Sequence, residues 1–65
     1  MMDASTRLEA MRIAKEIVKA EIRKHGVKLS SVAASDVTAK AKAILADDDG
    51  TIERRAEHIL KNRSL

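Results

Sequence analysis

Apolar residues recur along the first third of this chain at steps of three and four. Leu8, Met11, Ala14, Val18 and Ile22 fall on one stripe of a helix at about 100° per residue. Ala10, Ile13, Ile17 and Ala20 form a second stripe beside it. Together they cover roughly two-thirds of the circumference, wider than a surface helix needs. The first helix is therefore expected to touch two neighbours, either both other helices or one helix and a second subunit. Thr6 with Glu9 three residues on has capping-box spacing and marks the start. Gly26, preceded by Arg23, Lys24 and His25, marks the end. The pattern predicts a helix over about 6–25.

Val27 to Ala34 carries weaker signals. Ser30, Ser31 and Ser35 are all N-cap candidates. Ser35 is preferred, giving a second helix over 36–46, with Leu29 and Val32 pinning the preceding loop to the core; a start near Ser30 or Ser31 fits the same residues. Val37, Ala41, Ile44 and Leu45 then face inward, and Lys40 and Lys42 face outward among alanines. Asp47-Asp48-Asp49-Gly50 reads as a turn and Thr51 as the cap of a third helix over 51–63, with Ile52, Ala56, Ile59 and Leu60 on its inner face. The expected product is an all-α, compact three-helix bundle, a single domain over 1–65.

Composition narrows what such a bundle can do. The 65 residues include no Phe, Tyr or Trp, no Cys and no Pro. Disulfides and thiolate chemistry are excluded, and so is the aromatic stacking by which single-stranded nucleic acids are bound. Domains of this size bury only about 60% of the surface of the unfolded chain. With no Cys and no ligand cluster to staple it, self-association is the expected support. The opening residues lack the apolar core of a signal peptide, and no apolar run approaches the ~18 residues of a membrane span. A soluble, cytoplasmic protein is expected.

Chemistry is thin. If Gly50 is placed at the sixth position of a calcium loop, Leu45 and Ala56 occupy positions that demand oxygen ligands. His25 and His58 have no second His, and no Cys, at ligand spacing. Glu53 and Glu57 share a side of the third helix, but Arg54, Arg55 and Lys61 surround them. There is no glycine-rich phosphate loop and no nucleophile elbow. The chain is expected to be non-enzymatic, without cofactor, metal or small-molecule substrate.

Three surfaces remain. Arg12, Lys15, Lys19 and Arg23 line one side of the first helix over about 16 Å, a basic ridge that matches a run of phosphates. The same pattern also describes an ion-paired, solvated face, because Glu9 and Glu16 lie within reach of Arg12 and Lys19. Arg54, Arg55, His58, Lys61 and Asn62 occupy the outer face of the third helix, where Arg and Asn suit base edges in a helix-turn-helix. The acidic turn beside that helix opposes this use. The third surface is the second stripe of the first helix, Ala10, Ile13, Ile17 and Ala20, which serves as a partner interface unless the other helices cover it. The net charge is +3. The leading expectation is a small regulator that binds duplex nucleic acid through the two basic faces. The alternative is a protein-interaction or homodimerisation module built on the second stripe. No motif in these residues assigns the chain to a family.

Overall fold

The computed structural model describes residues 3–63, and among them it contains three α-helices and no strand: α1 (Ala4–Lys24), α2 (Ala34–Ala46) and α3 (Thr51–Arg63), with a single 3-10 turn, Leu29–Ser31, between α1 and α2. The all-α three-helix bundle read from the periodicity is the fold observed.

The ends of the helices differ from expectation for identifiable reasons. Helix α1 begins two residues before Thr6, because the Asp3 carboxylate accepts the backbone N–H of Thr6 at 2.7 Å and is itself the cap. Thr6 is consequently buried inside the first turns. Glu9 does not reach back to the helix start; it turns to Arg12 and Arg63. At the other end Gly26 adopts φ +77°. Its N–H donates to the Arg23 carbonyl at 2.9 Å and the Val27 N–H donates to the Ile22 carbonyl at 3.3 Å, the paired bonds of a Schellman motif. His25 is the C-cap, one residue past the last helical position.

Helix α2 starts at Ala34 with Ala33 as its cap and no side-chain cap bond, so Ser35 lies inside the helix and is not the cap. Ser31 belongs to the 3-10 turn, where its hydroxyl donates to the Lys28 carbonyl at 2.7 Å. Val32 packs against the core, and the turn as a whole rests on α1. Helix α3 has the expected bounds but another cap. The Asp48 carboxylate accepts the N–H groups of Gly50 and Ile52, at 3.1 and 3.2 Å, while the Thr51 hydroxyl donates to Asp49 at 2.6 Å. The acidic run is thus partly consumed in starting this helix, where backbone N–H groups and the helix dipole favour negative charge. Gly50, at φ +106°, makes the turn.

Helix α1 is the spine. Both α2 and α3 pack on it along their lengths, and their backbones approach it much more extensively than they approach one another. The core is accordingly split. One cluster joins Ala10 and Ile13 of α1 to Ile52 and Ala56 of α3. The other joins Ala14 and Val18 of α1 to Val37 and Ala41 of α2. Ile44 and Leu45, half-buried near the end of α2, pack against both. Among the described residues, the only core residues with no exposure at all are alanines, Ala10, Ala14, Ala41 and Ala56, and no large side chain is fully enclosed. The molecule measures 36 × 24 × 17 Å; the least dimension accommodates two layers of helix at the usual 8–10 Å axial separation.

Leu8 departs from the expected core. It is 73% exposed. Its position explains this: Leu8 precedes Arg12, Lys15 and Lys19 by four, seven and eleven residues, the spacing that places all four on the outer ridge of α1.

Candidate interaction surfaces

The second stripe of α1 is divided by the packing. Ala10 and Ile13 are buried against α3 within the chain, so these two are not part of an exposed interface. Ile17, one turn further on, is 45% exposed, and Ala20 is exposed as well. The reason is the placement of α3. Its first turn borders Arg12 to Ala20, and its last residue, Arg63, reaches back to Glu9. Among the described residues, α3 therefore borders Ile17 and Ala20 with its first turn without burying them.

Two shallow grooves meet at Ile17. One, of about 490 Å3, runs between α1 and α2 and is floored by Ile17, Val18, Ile22, Ala43 and Ile44. The other, of about 460 Å3, runs between α1 and α3 and is floored by Ile13, Ile17, Ala20 and Ile52. Charges of both signs border them: Glu21, His25 and Lys40 along the first, Arg12, Glu16 and Arg55 along the second. Ile17 lines both grooves and forms the apolar notch where they meet.

The basic ridge exists as a surface, but its charge is partly spoken for. The Glu9 side chain is only 4% exposed. It pairs with the Arg12 guanidinium and, at 3.1 Å, with Arg63, tying α1 to the end of α3. The hydrogen bond from Arg12 holds the Glu9 carboxyl below its ordinary range, against the opposing effect of burial, and the charges of Arg12 and Arg63 add to it. Lys19 lies 3.8 Å from Glu16. Lys15 and Lys19 also border a smaller recess with Leu29, Val37 and Thr38. Arg23 is exposed.

On α3, Arg54, Arg55, His58, Lys61 and Asn62 all face solvent. His58 Nε2 and the Asn62 amide are 3.0 Å apart, so these two side chains engage each other. The Asp49 carboxyl is held below its ordinary range, first by the Thr51 hydroxyl and backbone N–H and then by Arg54 nearby. Both α2 and α3 pack on α1, and Ile44 and Leu45 of α2 also pack against the cluster that holds Ile52 and Ala56 of α3.

Among the described residues no group of three or more His, Cys, Asp or Glu is placed to hold a metal ion, and no helix is long and apolar enough to cross a membrane. No protein-family model, no curated protein and no solved structure matches the chain.

Sequence reasoning located the stripe that contains the notch but not its extent. Stripe position is set by helical periodicity; which half of the stripe is covered depends on where α3 lies along α1. The contribution of Ile44 was likewise hidden, because it comes from another helix.

Proposed function

We propose that this chain is a non-enzymatic protein-binding module, acting in the cytoplasm, whose contact surface is the apolar notch around Ile17. The observation that carries the reading is that Ile17 sits between buried Ile13, Ala14 and Val18 on the arc of α1 that faces its neighbours, yet is 45% exposed. Two apolar grooves flank it, and the small Ala20 and Ala43 beside it permit close approach of a further helix. An apolar surface of this kind, bordered by charge, is the usual form of a protein-docking site. The absence of Cys supports a reducing compartment.

Site-specific photo-crosslinking tests this reading. A photoreactive residue at Ala20 is expected to give a covalent polypeptide adduct in the cells that make the protein. The same group at Lys42, on the outer side of α2, is expected to give none. Absence of an adduct from position 20 would remove the proposal.

A second reading, contact with duplex nucleic acid, is favoured by one observation. Lys15 and Arg23 on α1, and Arg55 and Lys61 on α3, have no carboxylate at ion-pair distance among the described residues. They remain available to phosphates. That reading expects binding of mixed duplex DNA that weakens steeply with salt and is lost when Arg54 and Arg55 are both changed to Glu. No mobility shift at low salt and micromolar protein would dispose of it.

A further inference from the structure

We infer that the outward ridge of α1, joined by Arg55 across the α1–α3 groove, is a face for duplex nucleic acid held through phosphates alone, whatever the base sequence. The inference rests on the nucleic-acid reading above and names the face and the mode of contact.

Charge locates the face. Arg12, Lys15, Lys19 and Arg23 follow one another along the ridge at helical spacing. Arg12 and Arg55 border the same groove, with Glu16 beside them, so cations of two helices meet in one band. The carboxylates paired within this band are Glu9 and Glu16. Five cations against these two carboxylates leave +3, the whole formal net charge of the chain; the other eight basic and eight acidic residues cancel. The excess positive charge therefore has a place on the molecule. Glu9 is buried and is shared by Arg12 and Arg63. Glu16 lies 3.8 Å from Lys19, an exposed pair worth little and readily exchanged. Lys15, Arg23 and Arg55 have no carboxylate at ion-pair distance among the described residues. Glu53 and Glu57 lie two residues to either side of Arg55, and positions two apart on a helix do not face one another.

The kind of anion follows from what the ridge lacks. From Arg12 to Arg23 its outward line is Arg12, Lys15, Glu16, Lys19 and Arg23, with no apolar side chain. A protein partner would bury an apolar centre inside a polar rim, and a membrane surface would take up apolar side chains between the cations. A phosphate backbone needs neither, and it offers charges in a row along the roughly 16 Å that the ridge spans. The chain has no aromatic residue on which unpaired bases could stack, so the nucleic acid is a duplex. Base reading is poorly served. His58 Nε2 and the Asn62 amide engage each other at 3.0 Å. The start of α3, the end by which a recognition helix contacts bases, follows directly on Asp47, Asp48 and Asp49. Contact to the backbone positions the protein and carries no sequence information.

Fluorescence anisotropy of the full chain with two labelled short DNA duplexes of unrelated sequence tests the inference. Both should bind alike at low salt, and log K should fall against log salt with a slope of about −3.6, the value for four phosphates met by Lys15, Lys19, Arg23 and Arg55. Lys15→Glu with Lys19→Glu should reduce the magnitude of that slope by about 2 and weaken binding to both duplexes more than about 10-fold. Arg23→Glu, at an exposed position, should reduce it by about 1 and covers the case in which the double variant fails to fold. Lys40→Glu with Lys42→Glu makes the same charge change at exposed positions of α2 and should leave the slope unchanged. A slope unmoved by the α1 variants, while Arg54→Glu with Arg55→Glu abolishes binding, would overturn the inference and leave the nucleic-acid reading standing. Affinities for the two duplexes that differ more than about 10-fold, the scale of one lost base contact, would also overturn it. So would displacement by polyglutamate as effective as by unlabelled duplex, or cosedimentation with phosphatidylserine vesicles in place of duplex binding. If neither duplex binds, the inference and the nucleic-acid reading fall together.

Discussion

Helix α1 carries two attachments that share a method and differ in their fastening. Against α2 it presents Ala14 and Val18, and the contact is apolar, extended by Met11, Ile22 and Val32. Against α3 it presents Ala10 and Ile13, and the contact is extended by Ile59 of α3 and, as on the other side, by Ile44 and Leu45 of α2. Each cluster holds one alanine from α1 and one from its partner helix, all four without exposure, and such small side chains let backbones come close. Only the α3 attachment adds charge: buried Glu9 holds Arg12 from its own helix and Arg63 from the last position of α3. The two attachments are bridged by Ile44 and Leu45 near the end of α2, which pack against both clusters. Apolar area alone keeps α2 in place, while α3 depends in addition on an ion pair that salt and acid can weaken.

The largest expected effect on this contrast comes from Ile52→Ala. It removes the main aliphatic side chain by which α3 grips α1, a change that typically lowers stability by about 2–5 kcal/mol. Hydrogen exchange should show α3 amides losing protection before those of α2; equal loss in both would mean that the attachments are one cooperative unit. Ala14→Leu attacks the other side. Its position has no room, and overpacking of this kind costs about 1–3 kcal/mol. Here α2 is expected to loosen first.

The ion pair gives a smaller effect with a distinctive pH dependence. The Glu9 carboxyl is held below its ordinary value in the folded chain. It therefore adds stability above its unfolded value of about 4.3, and that contribution is lost as pH falls through the lower folded value. Acid titration followed by exchange should expose α3 ahead of α2, and Glu9→Gln should lessen that difference. Asp3 and Asp49 are also held low, Asp3 mainly by the Thr6 backbone N–H and Asp49 mainly by the Thr51 hydroxyl, so they add to the same acid limb and will remain in the variant. The smallest effect is expected for Leu8→Lys, within about 0.5 kcal/mol by thermal unfolding, because Leu8 lies on the outer ridge away from both attachments.

Much of this organisation is written in local pattern. Val37, Ala41, Ile52 and Ala56 face inward as their spacing requires, and Gly26 ends α1 in the left-handed conformation its position implies. Caps were less legible. Asp3 caps α1 in place of Thr6 and Asp48 serves the start of α3 in place of Thr51, while α2 begins without a side-chain cap and leaves Ser35 inside the helix; each outcome turns on a residue or two of chain path that periodicity does not resolve. Glu9 shows the limit most clearly. Its local spacing points to the helix start, but its partner Arg63 lies 54 positions away in sequence and only tertiary packing brings the two together. Ile13 and Ile17 show it for the candidate surface: neighbours on one stripe, they part company because α3 covers the first and only borders the second.

The alanine seam has a bearing on how this chain can vary. Methyl groups at Ala10, Ala14, Ala41 and Ala56 set how near the rods lie while contributing little cohesion of their own. Enlarging any of them would wedge the rods apart, and shrinking one to glycine would slacken the rod itself. Those four sites are therefore the least free to drift, whereas the bulkier aliphatic neighbours around them, none wholly enclosed, can exchange among Ile, Leu, Val and Met with modest penalty.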